Sequence, residues 1–354
     1  MGSKRGRARL RRSAGAGVPL VATPSVDAID EALRELLVDR GVNVLAIAGG
    51  DGTVHHVINS LLDLQRLHEQ ALHGQQRREE GAMPRGPNVE PQEEGLSASG
   101  RHRADARPII PFPRLLVLNG GTLNIIGRTV GIHGPPHHTL RRFAAYFGAA
   151  PLERVPARRV SLMRVDREGA ATPRYGCVFG SETLYHAIEL YVRFGAGYRG
   201  LARFLAELGR GATTGSQLWR EEGWKLGPFD HPITVDGEAF ATYTAVVAST
   251  VDLTLAVSAI RAIRRPLGAR GFHAKLICEG DPLALVRQVP ALMSERGSAG
   301  VVDFREAQQL DLAGPYTLDG ECFEDPGPGR SNLTVSTAEY VLPLVPGEFG
   351  ATRW

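Results

Sequence analysis

The chain has little cysteine. Cys177, Cys278 and Cys322 are the only three among 354 residues, and they lie far apart without paired spacing. That excludes a disulfide framework and a zinc knuckle, and it fits a reducing compartment. No apolar run approaches the roughly 20 residues that span a bilayer. The first residues lack the apolar core of a secretory leader. Gly6 stands where N-myristoylation needs Ser or Thr. The spelling GxxxxGK is missing, which excludes a P-loop. Repeats are missing too, apart from two Asp-Gly-Glu triplets. Net charge is only +3, so bulk electrostatics does not make the molecule a polyanion binder.

What remains is a globular composition, 43% hydrophobic and 22% charged, in a chain long enough for two ordinary domains. The cations crowd the opening stretch "MGSKRGRARLRR". Such a stretch can touch acidic lipid or nucleic acid, but it reads here as a disordered basic tail with no specific partner. With neither leader nor span, the expected location is cytoplasmic, peripheral on the inner face of the membrane.

Residues 18–62 read as strand, helix, strand, glycine turn, helix. Ser25 is a fitting N-cap, and Gly41 a fitting C-terminal stop. "VNVLAIA" is apolar almost throughout, as in a strand covered on both faces. This alternation predicts a parallel α/β sheet. From residue 68 to 107 the chain turns polar and rich in Gly, Pro, Glu and Arg, and reads as a largely disordered insertion. Order resumes at "FPRLLVLNGGTLNIIGRTVGI", a second strand, glycine turn and helix. The helix "TLRRFAAYFG" closes a first domain, residues 1–150. Residues 151–354 then read as a mostly antiparallel, β-rich domain, with helical stretches at 182–208 and 281–293.

Gly49, Gly50, Asp51, Gly52 and Thr53 follow a strand and open a helix. In an open parallel sheet, ligands sit beyond the carboxyl ends of the strands. Glycines there let a phosphate approach the backbone, and the helix N-terminus offers free amides. A carboxylate would repel that phosphate unless it takes a proton from an attacking hydroxyl or acts through a magnesium ion. Thr122 and Asn124, after Gly121, are uncharged hydrogen-bonding groups suited to phosphate or ribose.

In this context GGDGT resembles the catalytic domain shared by diacylglycerol kinases, sphingosine kinases and bacterial lipid kinases; NAD kinases and phosphofructokinases carry a related turn. The family's next block has the form Pro-x-Gly-Thr-x-Asn-Asp-x-x-Arg-x-x-Gly-Ile. Here Gly121, Thr122, Asn124, Arg128, Gly131 and Ile132 match it. Asn119 stands for the proline and Ile125 for the aspartate, which sphingosine-kinase-like members also lack. The family's Asp-Gly-Glu has two candidates. Asp236-Gly237-Glu238 is read as a plain hairpin, because Asp-Gly between apolar runs is a hairpin signal. Asp319-Gly320-Glu321 lies as far from the chain end as in the family and takes the functional assignment.

The resemblance implies an NAD kinase-like parallel-sheet domain followed by an antiparallel β-sandwich-type domain. It implies an ATP- and magnesium-dependent lipid kinase acting on a lipid hydroxyl at a membrane surface, with no nucleic acid partner. Asp51 and Glu321 would be catalytic, and Asp319 and Glu321 would hold magnesium. Gly49, Gly50, Gly52, Thr53, Gly121, Thr122, Asn124 and Arg128 would bind ATP. A soluble-substrate kinase of the NAD kinase type, a pseudokinase and a purely structural α/β protein are the rivals. His186 precedes Ala187 where the family often has an acidic residue. "GAGYRG" follows a helical stretch and reads as a helix–loop–helix connection. The pairs His55-His56 and His137-His138 read as surface residues, since helix neighbours diverge by about 100° and cannot chelate one ion.

Overall fold

The computed structural model describes residues 4–15, 18–81, 112–121, 124–148, 150–195, 198–214, 220–221, 229–255, 260–265, 269–278, 300–325 and 330–349. The first half runs α1 (Lys4–Ala14), α2 (Ala28–Arg34), β1 (Val44–Gly49), α3 (Asp51–Gly81), β2 (Arg114–Asn119), α4 (Ile125–Thr129) and α5 (Pro136–Phe147). The second half opens with β3 (Arg158–Arg167), β4 (Arg174–Gly176), β5 (Val178–Glu182), α6 (Thr183–Arg193) and α7 (Tyr198–Thr214). It continues through β6 (Ile233–Val235), β7 (Glu238–Phe240), β8 (Ala245–Ser249), β9 (Leu253–Leu255) and β10 (Ile260–Ile263). Then come β11 (Phe272–Ile277), β12 (Val301–Ala307), β13 (Gln309–Ala313), β14 (Tyr316–Leu318), β15 (Glu321–Phe323) and β16 (Asn332–Leu344).

β1 and β2 are parallel and in register from Val44 beside Arg114 to Gly49 beside Asn119. That register puts both glycine turns at one sheet end, side by side. A Cβ built on Gly121 would lie 2.6 Å from the Gly50 Cα, and one on Gly120 would lie 2.8 Å from the Gly49 carbonyl oxygen. The turns therefore touch backbone on backbone, a contact that only glycine permits.

The sheet continues in the order β1-β2-β16-β13-β6-β7, with β3 joined to β16 and β4 to β3. β16 meets β2 in parallel at Leu344 and Leu115, and pairs antiparallel with β3 and β13. A second, antiparallel sheet runs β12-β11-β8-β5-β14-β15. Met163, Val165, Leu310 and Val335 of the first sheet pack on Phe179, Val246, Phe272 and Tyr316 of the second. This face-to-face core is the expected β-sandwich. The two halves share more than a linker. After β16 the chain returns to the first half, where the Val345 amide donates to Leu115 (2.8 Å) and Phe349 packs on Phe143 and Phe147.

Several sequence expectations change. Residues 18–23 form no strand, since Pro19 lacks a donor and Pro24 closes the run. The next helix starts at Ala28 with Asp27 at its cap, not Ser25, although Gly41 does take the left-handed turn (φ +60°). β1 is an edge strand that buries Leu45 and Ile47 and leaves Ala46 and Ala48 open, so only one face is covered. The basic opening stretch is a helix, not a disordered tail. α3 runs on to Gly81, so residues 68–81 of the expected disordered insertion are helical. Their Gln, Glu, Arg, Leu and Ala favour that state, and Pro84 comes only afterwards. Residues 82–107 and the helix expected at 281–293 lie outside the described residues.

Gly121→Ala should lower stability by about 1–3 kcal/mol in urea denaturation, because its new methyl meets backbone that cannot swing away. Gly209→Ala in α7, where nothing lies within 4 Å of the new Cβ, should be neutral or stabilising.

Candidate active site

Asp51 is the first residue of α3, directly beyond β1. Its Oδ2 accepts the Ile125 amide at 3.1 Å and its Oδ1 the Ile126 amide at 3.3 Å. One carboxylate thus caps α4 and binds the two glycine turns together. Burial pushes its pKa up to about 6; the α4 amides pull it down, and the charge of Asp319 adds to the rise. The Asn124 amide also bears on it, so three backbone amides share about four acceptor sites and one lone pair remains. Thr53 lies against Gly49, where a Cβ would come within 2.4 Å of it.

Asp51, His55 and Asn59 stand at i, i+4 and i+8, on one face of α3. This ridge carries the contacts to the second half. Asn59 donates to the Tyr175 carbonyl (2.8 Å) and accepts the Tyr175 amide (2.9 Å). His55, fully buried, puts Nδ1 3.3 Å from Asp319 Oδ2. Asp319 Oδ1 accepts the amides of Cys177 and Val178, both at 2.9 Å. Beside it, Glu321 comes so close to Gly52 that a Cβ there would sit 1.9 Å from Oε1. Glu321 Oε2 lies 3.6 Å from His56 Nε2. Arg174 stacks over Phe323 at 4.3 Å, and its charge reaches His56.

Both Asp-Gly-Glu triplets are two-residue hairpins with both turn residues at positive φ: Asp236 and Gly237 at 47° and 88°, Asp319 and Gly320 at 53° and 88°. Asp236 closes β6–β7 and accepts the amides of Gln308 and Gln309, at the opposite edge of the sheet from β1. The second hairpin faces the glycine turns, so it is both a hairpin and part of the site. Asp319 corrects one expectation. Its side chain is 1% exposed and its oxygens are taken by two amides and a histidine, which leaves it poorly open to a magnesium ion. Glu321, 40% exposed at its side chain, is open to one. Among the described residues, no three His, Cys, Asp or Glu side chains group to hold a metal.

Asn124 caps α4 in the left-handed conformation (φ 48°, ψ 49°). Its side chain is buried, and both amide atoms lack a hydrogen-bond partner among the described residues. Such an orphan amide fits a ligand contact. Arg128 is half-buried in α4, and Thr122 lies outside the described residues. His55, His56, Asn59 and Arg174 were missed as site residues. The first two were read as surface positions, although the four-residue spacing from Asp51 marks His55 and Asn59.

A further cluster stands at the other end of β5. Glu182, fully buried at φ 58°, meets Arg330 Nη1 at 2.6 Å and His231 Nε2 at 2.8 Å. The expected break between two helices falls between Arg193 and Tyr198.

The site thus sets a carboxylate at the paired turns of parallel strands, facing a hairpin of an adjoining β-sandwich. Residues 6–146 match the model of the diacylglycerol kinase catalytic domain. The match covers about two fifths of the chain, and over that segment the chain is similar to this family, which supports a kinase of the lipid-kinase type. No curated protein matches it. One similar solved structure is described as "a putative diacylglycerol kinase from Bacillus anthracis str. Sterne". It is 12% identical with a TM-score of 0.57, over 98% of this chain and 93% of that one. A second structure under the same description is 11% identical with a TM-score of 0.56, over 96% and 91%. At these identities the likeness is one of fold. No helix among the described residues is long and apolar enough to cross a membrane.

Asp319→Ala removes the acceptor of two buried amides and should cost about 3 kcal/mol; Asp236→Ala, at an exposed turn, should cost about 1 kcal/mol. For Asp51, the folded pKa lies above the unfolded one. Its stabilising contribution is therefore full below about pH 4 and is lost as pH rises through about 6. The melting temperature of Asp51→Asn relative to the wild type should accordingly be higher at pH 8 than at pH 4, read by scanning calorimetry.

Proposed function

We propose that the chain transfers the γ-phosphate of ATP to the hydroxyl of a lipid, of the diacylglycerol or sphingoid type, at a membrane surface. The observation that carries this is the carboxylate of Asp51, held where both glycine turns meet the second half. The first amides of α3, at Asp51, Gly52 and Thr53, have no partner within the helix and suit a phosphate. Asn124 and Arg128 border the same turn.

Glu321 stands over that helix terminus, so a phosphate there meets a negative charge. The arrangement suits a divalent cation between them. Magnesium commonly keeps its waters and takes one or two carboxylates besides phosphate oxygens. Glu321 would hold it, and it would supply neutralisation of the triphosphate charge. Asp51 would accept the acceptor's hydroxyl proton on a free lone pair. Arg174 offers a cation beside the hairpin.

Purified protein with labelled ATP and magnesium should phosphorylate diacylglycerol, sphingosine or ceramide in micelles, and not NAD. Asp51→Asn should lose 10²- to 10⁴-fold in turnover, about the worth of a general base. The kcat/KM of the wild type should rise with pH around an inflection near 6, where the free enzyme's Asp51 ionises. NAD as sole acceptor would move the reading to a soluble substrate. A second reading, nucleotide binding without turnover, draws on the commitment of Asp51 to the α4 amides. Tight ATP binding with no acceptor phosphorylated would establish it.

A further inference from the structure

α1 carries six cations and no acid in eleven residues. The whole chain sums to only +3, so everything outside α1 is net negative. Gly6, Leu10, Ser13 and Ala14 recur at helical spacing, and these are its less exposed positions. Leu10 and Ala14 belong to the hydrophobic core of the first half. Arg5, Arg7, Arg9, Arg11 and Arg12 are all exposed around the remainder of the helix. Among the described residues, none of these five has a carboxylate within ion-pair distance.

The basic face extends onto α5, where Arg141 and Arg142 are exposed. His137 on α5 is held below its ordinary pKa by desolvation first, then by His138, Arg9 and Arg141, so cations of both helices crowd one patch. Tyr146, 57% exposed, ends the same helix with an aromatic ring that has an apolar body and a polar tip.

We infer that the exposed arginines of α1, with the neighbouring face of α5, form a docking surface for an anionic lipid bilayer. The charge selects a polyanion. The choice of bilayer over nucleic acid rests on the proposed function, because a kinase of lipids must meet its acceptor at a membrane. The helix lies on that surface; it does not insert, since its apolar face is already used against the protein core.

The test is co-sedimentation of the full chain with vesicles, without nucleotide or acceptor lipid. Its failure therefore leaves phosphoryl transfer untouched, and a catalytically dead protein leaves the docking untouched. Wild type should bind phosphatidylcholine vesicles containing 30% phosphatidylglycerol far more tightly than pure phosphatidylcholine, and lose the advantage in high salt. The Arg5→Gln, Arg9→Gln, Arg12→Gln triple variant should bind the anionic vesicles roughly 100-fold more weakly, since each basic residue near such a surface contributes about fivefold. Its melting temperature should be unchanged, because it breaks no contact. A control with the same charge change, Arg34→Gln, Arg154→Gln, Arg159→Gln, should stay within about twofold of wild type. Equal losses in both variants, or binding indifferent to phosphatidylglycerol, would overturn the proposal. So would tighter binding of duplex DNA at the same ionic strength, abolished by the α1 variant.

Discussion

The backbone contact between Gly50 and Gly121 is the constraint on which the site depends. It follows from the register of one parallel strand pair, which ends both strands at the same level. Side chains at these turns would force them apart, because a Cβ 2.6 or 2.8 Å from backbone lies well inside van der Waals contact. Asp51 could then no longer reach the α4 amides while standing at the head of α3. The glycines are therefore needed first for packing of turn on turn, and in the proposed function only through that for the approach of a phosphate. The same shape serves both ends, because a turn without side chains is at once a close-packed surface and an open one.

The second half is fixed to this platform by a shared apolar core, in which Val160, Leu162 and Leu342 join Leu45 and Leu115, and by a ridge of polar groups. Asn59 pairs with the backbone of Tyr175 much as a neighbouring strand would. Asp319 ties the β14–β15 hairpin to the start of β5 and to His55 in one buried knot. Hydrogen bonds at fixed angles set position more narrowly than apolar contact does, which matters where alignment is most of the chemistry. The return of the chain end to β2 and α5 adds an independent tie. The expected boundary at residue 150 thus falls on a connection between two bodies that share one sheet.

Local signals were legible in the sequence. The apolar runs of β1 and β2, the glycine turns and the β-rich second half could all be read, because each depends on residues adjacent in the chain. The pairing of Asp319 with His55 could not, as it links positions 264 apart and neither residue announces a partner. The stretch 18–23 was misleading for a related reason: Val18, Leu20 and Val21 look like a strand, but two prolines deny it a continuous ladder. The opening arginines looked unfoldable by charge alone. Leu10 and Ala14, one turn apart, were enough to seat that helix once α5 supplied a surface.

The adjacent histidines show how a sound geometric rule can lead to the wrong place. Helix neighbours diverge by about 100°, so His55 and His56 cannot converge on one ion. Divergence is what the hairpin requires of them. Asp319 and Glu321 flank Gly320 and turn apart, one into the interior and one toward the cleft. His55 meets the buried acid and His56 the open one. With Asp51 close by, three carboxylates gather at the head of one helix, a concentration of charge that would drive the two halves apart. The helix terminus offsets part of it, and each histidine sets a polar ring against one of the hairpin's acids. The open acid keeps the weaker contact, at 3.6 Å, and in the proposed function it is the one that exchanges its partner for a cation.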